Sequence, residues 1–189
     1  MADQTPILRV ALAQDVAVLQ ALIERSARAL SVGFYTQEQI AAVTREVFGV
    51  DSQLVADGSY YAIECGGEIV ACGGWGKRST SYGGDQAKSK PERLLDPATE
   101  PAKIRAFFVD PAMARRGLGS MLMAHCASEA AAAGFTRLEL VATMPGVPLY
   151  EALGFSPVEQ FDLALGQGSV MVPVLLMRRG QTRGQVRRT

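Results

Sequence analysis

A predicted strand followed by a loop and two closely spaced glycines constrains the fold of this chain more than any other feature. The strand covers 102–109, and Gly117 and Gly119 then begin an alanine-rich helix. Glycines at such a place let the backbone approach a ligand closely. The free N–H groups and the dipole of a helix N-terminus favour a phosphate, and Arg115 and Arg116 add charged donors. The segment therefore predicts a loop that binds a pyrophosphate.

Two common phosphate-binding motifs fit this segment poorly. A P-loop would place a lysine directly after the second glycine, where Ser120 stands. A dinucleotide-binding motif would need a third glycine, where Leu122 stands, and it would follow its strand directly. Here seven residues separate Val109 from Gly117. The alternative that stays open is a glycine-rich turn before a buried helix, with no ligand.

The pattern of apolar residues along the whole chain predicts one mixed α/β domain with the order β-α-α-β-β-loop-β-α-β-α-β-β. Thr36, with Gln39 three residues later, predicts a capped helix start. Gly66 and Gly67 predict a tight hairpin. The predicted strands are 7–11, 59–65, 68–75, 102–109, 136–142, 155–165 and 170–177, and the predicted helices are 14–30, 36–48, 117–133 and 148–153.

A polar stretch at 76–100, which contains glycine pairs and prolines, predicts a long surface loop. Loops of this length inside a compact domain often act as lids over a site. A disordered excursion is the other interpretation of the same composition.

Composition excludes several classes of protein. The chain has 189 residues, of which 48% are hydrophobic, and this is enough for a buried core. Its 19 basic and 19 acidic residues give a net charge of +0, which is unlike a nucleic-acid-binding coat. We expect no signal peptide and no membrane span. Three cysteines without a CxxC motif and a single histidine predict neither a disulfide framework nor a metal site, and they favour the cytoplasm.

The charge is distributed unevenly between the body and the C-terminus. Residues 178–189 carry five arginines and no acidic residue, which leaves 1–177 with a formal charge of −5. We therefore divide the chain into a domain at 1–177 and a basic tail at 178–189. Such a tail is either a mobile end or a segment that docks on the acidic body or on a neighbouring subunit.

A second motif places a tyrosine on a short predicted helix that ends at a glycine. Tyr150 precedes Gly154 by four residues, and a strand follows. With a pKa of about 10, a tyrosine is protonated at neutral pH and can act as a general acid. The alternative is a half-buried aromatic side chain that anchors the helix.

Together the two motifs resemble the GCN5-related N-acetyltransferases, the GNAT superfamily. The close match covers residues 102–156 and comprises the strand, Val-Asp-Pro, Arg-Arg-Gly-Leu-Gly-Ser, the long helix, the next strand and Leu-Tyr-x-x-x-Gly-Phe. The resemblance implies a mostly antiparallel twisted sheet, splayed in the middle and flanked by about four helices. It also implies acetyl-CoA as cosubstrate and direct attack by a primary amine of a small molecule. A protein or peptide acceptor and a non-catalytic CoA-binding sensor are the alternatives, and the resemblance allows a homodimer.

The resemblance also implies which residues form the cofactor site. Those residues are Phe107, Phe108, Val109, Ala114, Arg115, Arg116, Gly117, Leu118, Gly119, Ser120 and Thr143. A backbone N–H of Phe108 or Val109 would polarise the thioester carbonyl, and Tyr150 would protonate the leaving thiolate. Two positions depart from the family pattern. Ala114 stands where the family has Gln or Arg, and Thr143 stands where many members have asparagine.

The acceptor side is less well defined by the sequence. The residues implied near it are Phe34, Tyr35, Trp75 and Arg105. The aromatic rings could cover an apolar or cationic acceptor, and Arg105 could pair with an acceptor carboxylate, although ordinary packing would explain each equally well. The general base stays open between Glu64, Glu68, a tyrosine and a water chain. We interpret His125 and Cys126 as packing residues.

Overall fold

Seven strands form one open sheet in residues 5–88 and 92–180, which a computed structural model describes. The strands are β1 (Ile7–Val10), β2 (Tyr60–Cys65), β3 (Glu68–Gly76), β4 (Ala102–Val109), β5 (Arg137–Thr143), β6 (Ser156–Leu165) and β7 (Val170–Gly180). Their order in the sheet is β1-β2-β3-β4-β5-β7-β6. All neighbours are antiparallel except β4 and β5. This confirms the predicted mixed α/β class and the mostly antiparallel sheet.

Five α-helices cover the two faces of the sheet in the described residues. They are α1 (Val16–Leu30), α2 (Gln37–Glu46), α3 (Ser52–Ala56), α4 (Leu118–Ala132) and α5 (Val147–Ala152). The first three contribute to one hydrophobic cluster, and α4 and α5 contribute to the cluster on the other face. Thr36 begins α2 as predicted, because its hydroxyl accepts from the Gln39 N–H at 3.2 Å while the Gln39 side chain accepts from the Thr36 N–H. None of these helices has the length and apolar character to cross a bilayer.

The sheet opens between its two parallel central strands. β4 and β5 pair only at Ala102 with Leu138 and at Lys103 with Glu139. Beyond these pairs both strands continue, to Val109 and Thr143, without bonding to each other. The result is the predicted splay, and it leaves one backbone edge of each strand free.

A β-bulge in β4 bends the strand where the opening begins. Between two paired positions β3 has one residue, Gly73, whereas β4 has two, Ala106 and Phe107. Ala106 takes a positive φ of 54°, and its carbonyl accepts from the buried hydroxyl of Tyr60 at 3.3 Å. A Cβ at Gly73 would lie 2.3 Å from Cδ1 of Phe107, so only glycine fits beneath that ring. The bulge therefore aims the end of β4 into the opening.

Charged side chains join the strands at the closed end of the opening. The buried carboxylate of Glu139 on β5 accepts from Lys103 Nζ on β4 and from Arg178 Nε on β7, the latter at 2.5 Å. Burial alone would raise the pKa of Glu139, but the hydrogen bonds from Lys103 and Arg178 outweigh it and lower the pKa. The network thus links three strands next to the point at which β4 and β5 separate.

The structure corrects two boundaries of the sequence-based prediction. Helix α3 was not predicted, because five residues are too few to show a helical period, although Asp51 caps it by accepting from Gln53 and Leu54. Strand β7 continues to Gly180, so Arg178 and Arg179 belong to the sheet and not to a tail. The remainder of the predicted tail, 181–189, lies outside the described residues.

We predict that Glu139→Gln lowers the free energy of unfolding by about 3–5 kcal/mol, because it leaves the buried Lys103 ammonium without its anion. Since the folded pKa of Glu139 is lowered, its contribution is present above the unfolded pKa of about 4.3 and is lost as the pH falls. As the pH falls below about 4.3, the variant should therefore lose less stability than the wild type does. Urea unfolding at several pH values measures both effects.

The control is Glu129→Gln, which makes the same chemical change at an exposed position of α4. If Glu139→Gln lowers the free energy of unfolding no more than Glu129→Gln does, the proposed role of the network is contradicted.

Candidate active site

The glycine-rich segment forms an open cradle at the start of α4. Arg115 and Gly117 both have positive φ angles, of 65° and 81°. The first helical hydrogen bond runs from the Met121 N–H to the Gly117 carbonyl at 3.0 Å, so the N–H groups before it have no acceptor within the helix. A Cβ built at Gly117 meets nothing within 4 Å. These features fit a phosphate group, which the exposed N–H groups can bind from the solvent side.

The loop that leads to this cradle is held by Asp110. Its carboxylate accepts from the Ala112 N–H at 2.9 Å and pairs with Arg25 of α1 at 2.7 Å. The hydrogen bond from Arg25 is the main cause of a lowered Asp110 pKa. Arg115 and Arg116 are exposed, and no carboxylate in the described part of the chain pairs with either. Both guanidinium groups are therefore available to an anion at the cradle.

The free edge of β4 presents the N–H of Val109. The next N–H along the strand, that of Asp110, donates to Val70 of β3 at 2.8 Å. Because successive N–H groups of a strand point to opposite sides, Phe108 faces β3 and Val109 faces the opening. The Val109 N–H donates to the hydroxyl of Ser26 on α1 at 3.3 Å. Of the two donors that the sequence left open, only Val109 is directed to the opening.

Tyr150 lies at the opposite edge of the opening, on α5. Its ring packs edge-on against Phe155 at 5.9 Å and is tilted against Phe107 at 6.4 Å. No described group forms a hydrogen bond with its hydroxyl. Burial, with a smaller contribution from Cys126, raises the pKa of Tyr150 well above its usual value. The hydroxyl therefore stays protonated at neutral pH and can donate a proton.

Two cavities meet at Tyr150. We call them the helix cavity, next to the start of α4, and the loop cavity, next to the 77–101 segment. The helix cavity is lined by Ser26, Ala27, Leu30, Ser31, Phe48, 107–109, Gly119, Thr143, Pro145, Gly146, Leu149 and Tyr150. The loop cavity is lined by Val43, Val47, Phe48, Gly49, 81–83, 104–108, Val141, Thr143, Tyr150, Leu163 and Val174, and it encloses about 680 Å³ including its open mouth. The shared wall consists of Phe48, Phe107, Phe108, Thr143 and Tyr150.

Arg105 holds residues 80–83 of the 77–101 segment at the wall of the loop cavity. Its guanidinium is buried and pairs with Asp51 at 2.9 Å, and it donates to the carbonyls of Thr80 and Gly83. Asp51 also pairs with Lys88, at 2.5 Å. The described part of the predicted loop is therefore an ordered wall of the cavity rather than a disordered excursion. Residues 89–91 lie outside the described residues.

Three of the residues implied near the acceptor do not line either cavity. Trp75 is buried in the α4 cluster and packs edge-on against Phe135 at 6.0 Å, because it stands three residues from Cys72 on β3 and so faces the other side of the sheet. Tyr35 is buried, and its hydroxyl donates to the Pro173 carbonyl and accepts from the Met144 N–H. Phe34 is exposed. The structure thus corrects their predicted placement.

The carboxylates considered as a general base also lie away from the cavities. Glu64 pairs with Arg9 at the β1–β2 edge, and Glu68 is exposed at the β2–β3 hairpin. His125 packs edge-on against Tyr61, and burial raises the pKa of Cys126, as suits packing residues. No group of three potential metal ligands occurs among the described residues.

Sequence reasoning missed two residues at this site. Ser26 is a polar residue on the buried face of α1, and this position within an apolar stripe was a detectable signal. Asp51 could not be recognised as the partner of Arg105, because 54 residues separate them in the chain.

The chain belongs to the acetyltransferase (GNAT) family, because the sequence model of that family matches residues 19–155. This confirms the resemblance inferred from the two motifs. No curated protein matches the chain.

Solved structures share the whole fold at low sequence identity. A GCN5-related N-acetyltransferase from Rhodopseudomonas palustris has a TM-score of 0.69 at 20% identity, over 95% of this chain and 98% of that chain. The PaiA N-acetyltransferase of Thermoplasma acidophilum, solved with coenzyme A, has a TM-score of 0.63 at 11% identity, over 93% and 99%. The YncA protein of Salmonella typhimurium, solved with its cofactor acetyl-CoA, has a TM-score of 0.63 at 16% identity, over 98% and 99%.

We predict that Arg105→Met lowers the free energy of unfolding by about 3–5 kcal/mol, because it removes one of the two cations paired with the buried Asp51 carboxylate and leaves the Thr80 and Gly83 carbonyls without their donor. It should also speed amide hydrogen exchange in the 77–88 segment, including the Gly84 N–H that donates to Val47. Urea unfolding and exchange measured by mass spectrometry test the two effects.

The control is Arg93→Met, which breaks an exposed pair with Glu100 and should cost less than about 1 kcal/mol. Exchange in the segment that is unchanged by Arg105→Met would contradict the anchoring role of Arg105.

Proposed function

We propose that this protein is an acetyl-CoA-dependent N-acetyltransferase that acetylates the primary amine of a small molecule. The observation that carries the proposal is the position of the unpartnered Tyr150 hydroxyl at the wall between the helix cavity and the loop cavity. Membership of the acetyltransferase family supports it. So do the neighbours of the same fold that were solved with coenzyme A or acetyl-CoA.

In this proposal the helix cavity receives the cosubstrate. The N–H groups from Arg115 to Ser120 and the two adjacent guanidinium groups bind its pyrophosphate. The free edge of β4 aligns its pantetheine arm, and the Val109 N–H donates to a carbonyl oxygen in place of Ser26. When bound, acetyl-CoA supplies an activated acetyl thioester. The open cradle and the unpaired strand edge fit such a ligand.

The loop cavity receives the acceptor on the other side of the shared wall. Attack by the amine forms the carbon–nitrogen bond while the carbon–sulfur bond breaks. Tyr150 gives its hydroxyl proton to the sulfur, and the proton lost by the amine restores the hydroxyl through solvent. The anchored 81–83 segment closes one side of the cavity, which favours a small acceptor over a protein surface.

A screen of amines with a free-thiol readout tests the proposed function. Thiol release that depends on both acetyl-CoA and a small amine would support it. Release only with peptides or proteins would support the protein acetyltransferase instead. Tight binding of acetyl-CoA without release for any acceptor would indicate a sensor.

We predict that Tyr150→Phe lowers kcat by about 100-fold or more, because a positioned general acid contributes about 10²–10⁴-fold. The dissociation constant of acetyl-CoA should change by less than about threefold, since the removed hydroxyl acts on the leaving sulfur, and this interaction strengthens only in the transition state. Steady-state kinetics and isothermal titration calorimetry measure the two quantities.

The control is Tyr61→Phe, the same change at a buried tyrosine outside both cavities. Equal rates for the Tyr150 variant and the control would remove Tyr150 from the mechanism.

We predict that Gly119→Val weakens acetyl-CoA binding by at least about tenfold. A Cβ at Gly119 would lie 2.8 Å from Leu149 Cδ2, so the Leu149 side chain must move within the helix cavity that both residues line. Calorimetric titration measures the affinity, and a thermal melt confirms that the variant is folded.

Gly180→Val is the matched control, because a Cβ there meets nothing within 4 Å. If the Gly119 variant binds acetyl-CoA as tightly as the control does, the helix cavity is not the cosubstrate site.

A further inference from the structure

The wall of the loop cavity carries one charged side chain among the described residues, that of Arg105. Among the described residues that line it, none is an aspartate, a glutamate or a histidine. Apolar side chains from α2 and the residue after it, and from β5, β6 and β7, form much of the wall, and they include Val43, Val47, Val141, Leu163 and Val174. The titratable groups that line it are Arg105 and the phenols of Tyr82 and Tyr150.

The buried carboxylate of Asp51, which pairs with the lining residue Arg105, is already engaged with other donors. Asp51 accepts from Arg105 at 2.9 Å and from Lys88 at 2.5 Å, and it also accepts from the backbone N–H groups of Gln53 and Leu54. Asp51 is buried, does not line the cavity and already pairs with two cations, so it is not a free anion for an ammonium group in the cavity. Lys88 Nζ also lies 3.3 Å from Glu92 and 3.7 Å from Asp85, and neither of these carboxylates lines the loop cavity.

One further carboxylate lies outside the mouth of the cavity. Glu46 lines an adjoining hollow that shares Val47, Tyr82 and Leu163 with the loop cavity. Both of its carboxylate oxygens accept from the same Gly166 N–H, and it also pairs with Arg45 at 2.5 Å. The hydrogen bond from Gly166 is the main cause of its lowered pKa. Glu46 is thus a poor proton acceptor, and it does not line the space next to Tyr150.

These charges decide which form of an amine the cavity can accept. An ammonium group that loses its water next to apolar walls and a guanidinium, with no free carboxylate, is strongly disfavoured. A neutral amine carries no such penalty, and its lone pair is already available for attack. The described lining contains no carboxylate or imidazole that could generate that lone pair after binding, and the Tyr150 phenol is itself protonated and serves as the acid.

We propose that the acceptor is a weakly basic primary amine on an apolar body, and that it enters the loop cavity as the free base. This inference rests on the proposed function and adds the chemical class of its acceptor. For an alkyl amine with a pKa near 10.4, only about 0.1% is neutral at pH 7.5, whereas an amine with a pKa near 7.8 is about one-third neutral. The cavity therefore discriminates against strongly basic amines by their protonation.

The test compares amines that differ in basicity but little in shape. Each of three alkyl amines with a phenyl, cyclohexyl or n-hexyl body is paired with its β,β-difluoro analogue, in which the fluorine atoms lower the basicity of the nitrogen. Spermidine and a short peptide serve as polar cationic probes. The wild-type enzyme is assayed with acetyl-CoA by free-thiol release from pH 6 to pH 10.

We expect kcat/KM to rise about tenfold per pH unit for each acceptor until the pH reaches the pKa of that amine, so that the break moves with the acceptor. At pH 7 the fluorinated member of a pair should be favoured by about tenfold or more. A common break for both members, well below the pKa of the alkyl amine, would reveal an enzyme base and overturn the inference.

The other outcomes separate this inference from the proposed function. Acetylation of spermidine or of the peptide, with none of the apolar amines acetylated, overturns the inference and leaves acetyl transfer intact. Thiol release with none of the probes, together with no binding of acetyl-CoA in a titration, overturns the proposed function and the inference with it.

Discussion

The short pairing between β4 and β5 is the constraint on which the site depends. These parallel strands bond only at two adjacent residue pairs and then separate, which leaves the N–H of Val109 at a free edge. The bulge at Ala106, supported by the Tyr60 hydroxyl, bends β4 at the same place. At the other end the Glu139 network holds β4, β5 and β7 together. The opening is therefore closed at one end by the Glu139 network and open at the other end, where Val109 lies. Both cavities lie in this opening.

The charges at the two ends of the site suit two different ligands. The start of α4 offers backbone N–H groups and the exposed side chains of Arg115 and Arg116, all of which favour an anion. The loop cavity has apolar walls, and its one guanidinium, Arg105, is already paired with Asp51. Tyr150 lies between the two, with a hydroxyl that burial keeps protonated. In the proposed reaction, the anionic cosubstrate and the uncharged acceptor would therefore meet at Tyr150 without competing for the same groups.

Predictions from the sequence succeeded where short-range patterns carry the information. The strand at 102–109, the glycine cradle and the capped start of α2 all depend on residues within a few positions of each other. The placement of Trp75 and Tyr35 depended on which face of the sheet each side chain occupies relative to the opening, and both lie elsewhere. The same limit applies to Arg178, whose charge suggested a tail but whose partner is Glu139 on another strand.

By itself the sequence determined the family and the order of the strands and the longer helices, because short-range patterns carry that information. The phosphate cradle and the acid Tyr150 are predictions from contiguous motifs of the same kind. Only the tertiary structure decided that Val109 rather than Phe108 faces the opening, that Arg105 is neutralised by Asp51, and that no carboxylate lines the loop cavity. The physical reason is that burial and the pairing of charges depend on how helices and strands pack against one another. Between packed elements, the ionisation of a side chain depends on partners from distant parts of the chain.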